Sequence, residues 1–271
     1  MNSYTVEAIV RKDLKVVFQN KGVSVPLIMA PVIMLALLPV MALVVTSGEM
    51  SSADSAQFDK LFQMMPPALL ATLAGYDGVD KYALFLLVYG GAVLYTLLPL
   101  MVVTTVASDS FAGEKERKTL EALLYTPATD WELLLGKLLS AWLPALAISW
   151  GGLVFYSVLA NLAAWPVMGR VFFPTTMWVI LAGWVAPAAA GLGLGAMVLI
   201  SSRARTFQSA AQLAGVVVLP GFVMVGGSLF MVMCSGPWLM ALLGLVLWAI
   251  DAGLVWLGRR SFRRTKLATQ I

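Results

Sequence analysis

"SDSFAGEKERKTLEALLYTPATDWELLLGK", residues 108–137, carries ten charged side chains between two long apolar segments. Each Asp, Lys or Arg at the centre of a membrane helix costs about 2.5–3.5 kcal/mol, so ten such groups would cost on the order of 25 kcal/mol. The stretch therefore lies outside the hydrocarbon. It is nevertheless ordered by its own spacing. Glu114 and Glu116 are expected in the first turn of a short helix, where they oppose its positive end. Glu114 with Lys118 and Arg117 with Glu121 are i,i+4 pairs. Leu120, Leu123 and Leu124 form an apolar stripe, and Pro127 forces Thr126 out of the helical region. Thr129 and Glu132 then make a T-x-x-E capping box, which launches "WELLLGKLLSAW" into the next apolar segment.

Outward from this stretch the chain is greasy. Of its 271 residues 60% are hydrophobic and 12% charged, with mean hydropathy +0.88; soluble domains are about one quarter charged. About 20 apolar residues cross a bilayer as helix. Six segments qualify: 25–46, 83–107, 138–163, 175–200, 209–233 and 238–258. The expected fold is an all-α integral membrane protein, one transmembrane domain over 1–271, since no polar segment is long enough for a core of its own. Pro26, Pro31 and Pro39 interrupt the first span. Pro99, Pro144, Pro187 and Pro220 fall inside others, where neighbouring helices re-satisfy the freed carbonyls.

Charge fixes the orientation. Arg11, Lys12, Lys15, Lys21, Lys115, Arg117, Lys118, Lys137, Arg203, Arg205, Arg259, Arg260, Arg263, Arg264 and Lys266 fall on one side. Lys60, Lys81 and Arg170 fall on the other. The positive-inside rule places both termini and the 108–137 stretch in the cytoplasm, so the chain is expected to be multi-pass in the cytoplasmic (inner) membrane.

Residues 3–22 read as an amphipathic helix, with Val6, Ile9, Val10, Leu14, Val17 and Phe18 opposite Arg11, Lys12, Lys15 and Gln19. It suits the cytoplasmic interface, either as a plain anchor or with a mechanical role. Asp13 falls on its apolar side and calls for a basic partner that the sequence does not name. The outer loop 47–82 is too apolar at "FDKLFQMMPPALLATLAGYDG" for a solvated linker; it packs on the outer mouth or lies in the outer interface.

Several chemistries are excluded. The chain has no histidine and one cysteine, Cys234, which rules out His-based triads, His or paired-Cys zinc sites and internal disulfides. No catalytic or metal-ligating set is expected, and Cys234 reads as a small packed residue. The only Gly-Lys pair, Gly136-Lys137, is followed by Leu138 and preceded by Trp131 where the phosphate loop needs Gly, so the G-x-x-x-x-G-K-[ST] pattern is absent. "GLGLG" at 191–195 follows no strand. Gly191 and Gly195, with Gly183, Ala186 and Ala190, make a small-residue face for close helix packing, within the chain or between copies. Gly151-Gly152 and Gly226-Gly227 read the same way. Asp251, in "LWAIDAGLVWLGRR", is the one ionisable residue inside a span. It either serves a cation or proton pathway or pairs with a cytoplasmic arginine such as Arg203.

From the residues alone, 108–137 either inserts into a groove of a soluble partner or is a solvated helical loop. "FAGEKERKTLEALLYTPATDWELLLGK", with the six spans and the N-terminal "RKDLK" helix, resembles ABC-2 type transporter permeases, the membrane subunits of ATP-binding-cassette exporters. The resemblance implies that the N-terminal helix is a connecting elbow and that the short helix between spans two and three is a coupling helix. Glu114, Lys115, Glu116, Arg117, Thr119, Leu120, Leu123 and Leu124 would be its contact positions on a separate ATPase. It further implies two ATPase subunits that hold ATP and Mg, a second permease (identical or related) and no nucleic acid. The chain itself would bind no cofactor and would be no enzyme. The near absence of charge from the spans suggests a lipophilic or amphipathic cargo: a drug, a peptide or a lipid-linked molecule. The alternative is a nucleotide-independent secondary transporter or cation pathway through Asp251.

Overall fold

The computed structural model describes residues 3–47, 65–76, 78–116, 128–201 and 238–261, with single positions within 60–63 and 208–227. Every regular element among them is helical. Helix α1 (Ser3–Gln19) is followed after Asn20 by α2 (Lys21–Ser47), which runs unbroken through Pro26, Pro31 and Pro39. A short α3 (Pro67–Thr72) precedes α4 (Gly78–Gly113), α5 (Asp130–Met168), α6 (Thr176–Val198) and α7 (Trp238–Ser261). Among the described residues five helices, α2 and α4–α7, are long and apolar enough to cross a membrane. The expected span 209–233 falls on residues that are mostly outside the described ones, as do Cys234 and Arg203.

Two spans are longer than their apolar runs predict. α4 has 36 residues and α5 has 39, roughly 54 and 58 Å of helix against a hydrocarbon core of about 30 Å. The additional turns carry the charges that mark 108–137 as non-membrane. Thr129 starts α5 as its sequence requires: its hydroxyl accepts from Glu132 N at 3.3 Å, and Glu132 Oε2 accepts from Thr129 N at 3.0 Å. At the other junction the expectation needs correcting. Glu114–Glu116 is not the first turn of a new helix; backbone at Ser108 and Glu114 is helical, and α4 continues into Glu116 without a break. Glu114 therefore does not stand at a helix N-terminus.

α4 and α6 are largely buried, whereas α2 and α7 expose rows of large apolar side chains such as Ile33, Leu37, Val44, Leu242 and Leu245. In water such rows would be a liability; against acyl chains they are the proper surface. Among the described residues the interior has, besides a small cluster of Ile9, Ala128 and Leu133, two large apolar clusters along the helices. One joins Tyr95, Tyr156, Phe173 and Trp178, with Phe62, Leu69 and Leu73 of the 47–82 loop packed into it. The described residues of the loop thus pack on the ends of the spans, where Phe62 meets the Phe85 ring edge-on. The other joins Val17 and Leu27 to Val103, Val106, Phe111, Leu134 and Met197.

Helix α5 holds the bundle through polar groups as well as packing. Among the described residues three turns widen to π geometry, at Leu86–Gly90, Asp109–Gly113 and Leu181–Val185. A π turn disturbs the regular i→i+4 ladder, and lipid offers no water to its carbonyls. Each turn receives a side-chain donor from α5. Tyr156 Oη donates to Leu87 O at 2.7 Å, Lys137 Nζ to Ser110 O at 2.7 Å, and Trp150 Nε1 to Ala182 O at 3.0 Å. Trp178 Nε1 adds a bond to Val88 O at 2.9 Å.

The small-residue face of α6 is used within the chain. A Cβ at Gly191 would fall on the Asp251 carboxylate, and one at Gly195 would lie 2.6 Å from Leu254 Cβ, so these glycines seat α7. Gly193 does the same for α4, at 2.6 Å from Val103 Cγ1. Gly152 meets Leu35 and Leu98, while Gly151, Gly183, Gly226 and Gly227 face open space.

Candidate functional site

The helix that carries Asp13 has its apolar face on the base of α5. The contact is close: a Cβ at Gly136 would lie 2.7 Å from Ile9 Cγ2. Only a glycine allows the two helices this separation. The same approach delivers Asp13, 4% exposed, to the interior between α1, α4 and α5.

What Asp13 finds there answers the question its sequence position raises. Asp13 Oδ2 accepts from Ser110 Oγ at 2.9 Å and from Ser140 Oγ at 3.2 Å. Lys137 Nζ stands 4.0 Å from the same oxygen, and Lys12 Nζ lies 3.1 Å from Oδ1. Glu114 closes the cluster, with Oε2 at 2.5 Å from Lys137 Nζ and Oε1 at 2.5 Å from Lys12 Nζ. Lys137 is fully buried, and its ammonium also sits 5.4 Å from the centre of the Phe111 ring. Lys12 and Lys137 thus face Asp13 and Glu114, and the Asp109 carboxyl is buried on the same π turn. A buried charge without such partners would be destabilising by several kcal/mol.

The π turn at Asp109–Gly113 contributes Ser110 from its own residues and leads directly into Glu114, so one irregular turn supplies both α4 ligands of Lys137. Lys12 is the half-exposed member. Burial draws its ammonium pKa down, but hydrogen bonding and attraction to Glu114, with attraction to Asp13, outweigh this and hold it above 10.5.

Of the contact positions expected from sequence, Glu114 faces inward and is 5% exposed, bound within its own chain, while Glu116 is exposed. The Lys115 side chain and Arg117, Thr119, Leu120, Leu123 and Leu124 lie outside the described residues. Asp251 is elsewhere, in the middle of α7 against α6. Sequence reasoning passed over Lys137, Ser110 and Ser140. Their signal is faint but present: Lys137 and Ser140 share a face, three residues apart, in an otherwise apolar helix, beside the glycine that admits α1.

The description "ABC-2 family transporter protein" matches residues 7–242, from within α1 to the first turns of α7. The chain belongs to the ABC-2 transporter family. As an ABC-2 family membrane domain it has a permease role, and the family implies an ATPase partner. The ion cluster of this ABC-2 protein lies within the matched region, at the bases of the two helices that flank residues 117–127. Among curated proteins none matches the chain.

Proposed function

We propose that the chain is the permease subunit of an ABC-2 exporter and that residues 114–129 form the coupling element on which a separate ATPase acts. The observation that carries this reading is the Asp13–Lys137–Glu114 cluster. It binds the residue preceding 115–127 to the base of α5 and to α1. Displacement of the 115–127 segment would move α4, α5 and α1 as one body, because separating them takes Lys137 from both carboxylates and Glu114 from Lys12, at a cost of about 3–5 kcal/mol.

Helix α1 would lie in the cytoplasmic interface as the elbow, with Arg11 and Lys15 toward lipid phosphates. Two permeases and two ATPase subunits would make the working unit. ATP would draw the ATPases together and switch the pathway from inward- to outward-facing. Apolar span surfaces favour a lipophilic or amphipathic cargo. The partner surface would comprise Lys115, Glu116, Arg117, Thr119, Leu120, Leu123 and Leu124, with Glu114 holding the element to the spans.

The test is co-purification of the chain with its ATPase. The variant E116K/R117E/L120D/L123D is expected to lose the complex while keeping its own thermal stability. Retention of the complex and of its ATP hydrolysis by that variant would overturn the coupling role.

A further inference from the structure

Asp251 stands apart from the other buried acids described above. Asp13 and Glu114 have cations or hydroxyls in contact, and Glu132 closes a capping box. Asp251 is 5% exposed, and neither carboxylate oxygen has a hydrogen-bond partner among the described residues. It sits roughly 20 Å along α7 from Trp238 and about 9 Å from Leu257, inside the span by either measure.

Among the described residues the elements packed against Asp251 offer no positive charge. α6, packed against α7, carries no titratable side chain anywhere in 176–198. On α7 itself the nearest basic residues are Arg259 and Arg260, about 12 Å further along the helix. Arg203 and Arg205 lie outside the described residues. The surface facing Asp251 is helix backbone, reached because Gly191 has no side chain; a Cβ there would overlap Oδ2. In a helix the N–H groups are consumed by the ladder, and what remains is the second lone pair of each carbonyl. An ionised carboxylate only accepts, so it gains nothing from carbonyls. A carboxylic acid has an O–H to donate to one.

We propose that Asp251 is a proton-binding site within the membrane, a neutral acid held against the Gly191–Gly195 face of α6. The ligand is a proton, since among the described residues α6 and α7 bring no second acid to Asp251 to complete the shell of a metal cation. The site needs no nucleotide and does not depend on the coupling role of 114–129.

The experiment is infrared spectroscopy of the full chain in lipid vesicles at neutral pH, comparing wild type with D251N. The expected result is a protonated-carboxyl C=O band in the wild type that is lost in D251N and unmoved by sodium or potassium. Two results would overturn the proposal. One is a difference spectrum that loses only carboxylate stretches. The other is an acid band that disappears on adding either salt, which would make the site one for a metal cation. Should D251N fail to accumulate, D251E carries the same test, because [13C]aspartate labelling then no longer shifts the acid band.

Discussion

Lys137 and Glu114 lie 23 residues apart in sequence and meet at 2.5 Å with the lysine fully buried. Their contact closes the base of the α4–α5 pair just where residues 117–127 leave and return. Removing the ammonium leaves Asp13 and Glu114 to the part-exposed Lys12. Lys137→Met is expected to destabilise the protein by about 3–5 kcal/mol, read as a fall in the thermal unfolding midpoint in detergent. Adding Glu114→Gln and Asp13→Asn to it is expected to recover a large part of that loss, because the uncompensated charges are gone. No recovery in the triple variant would mean that packing, not charge, holds the site.

Gly136 and Ile9 set how closely α1 approaches. Gly136→Val places atoms where Ile9 now sits and is expected to cost about 1–3 kcal/mol by overpacking. Ile9→Ala alone should also destabilise, by removing a buried contact. The two changes together should cost less than their sum, and a double-mutant cycle measures the coupling. Strict additivity would contradict the contact.

The proton balance of Lys12 has a defined sign. Its pKa is raised in the folded chain, so its contribution to docking α1 is complete below 10.5 and is lost as pH climbs through the higher folded value. Lys12→Gln is therefore expected to shift stability equally at pH 6 and pH 9, and by less than Lys137→Met, because Lys12 is part-exposed and screened. Thermal midpoints at the two pH values check this. A Lys12→Gln effect that vanishes between pH 6 and 9 would count against the arrangement.

Tyr156 Oη satisfies Leu87 O in the first π turn. Tyr156→Phe keeps the ring, which stacks on Trp178 at 4.8 Å, and removes only the donor. A loss of about 1–3 kcal/mol is expected, the cost of leaving a buried carbonyl unpaired. Unchanged stability would show that the turn finds another donor.

The apolar runs were enough to place five of the spans, and Thr129 with Glu132 gave the start of α5 to the residue. The end of α4 was not legible. "SDSFAGEKE" reads by its charge as the end of one helix and the start of a new short one at Glu114, yet the helix runs on through Glu114, which Lys12 and Lys137 neutralise from two other helices. Local sequence contains no trace of that long-range pairing. Asp13 was half legible: its place on an apolar face announced a partner, while Lys137 looked like one more cytoplasmic cation. The choice left open for Gly191 and Gly195, packing within the chain or between copies, depended on α7, whose Asp251 and Leu254 fill the face they leave.

The most direct measurement follows ATP-driven motion in the assembled complex when the cluster is dissolved but the partner surface is intact. Spin labels at Arg170→Cys on two permease copies would report the end of α5 opposite the cluster. With wild-type Asp13, Glu114 and Lys137, ATP binding is expected to change the distance between labels. In the D13N/E114Q/K137M triple variant, hydrolysis should continue while that change is lost. An unchanged ATP-driven distance in the triple variant would contradict transmission through the cluster.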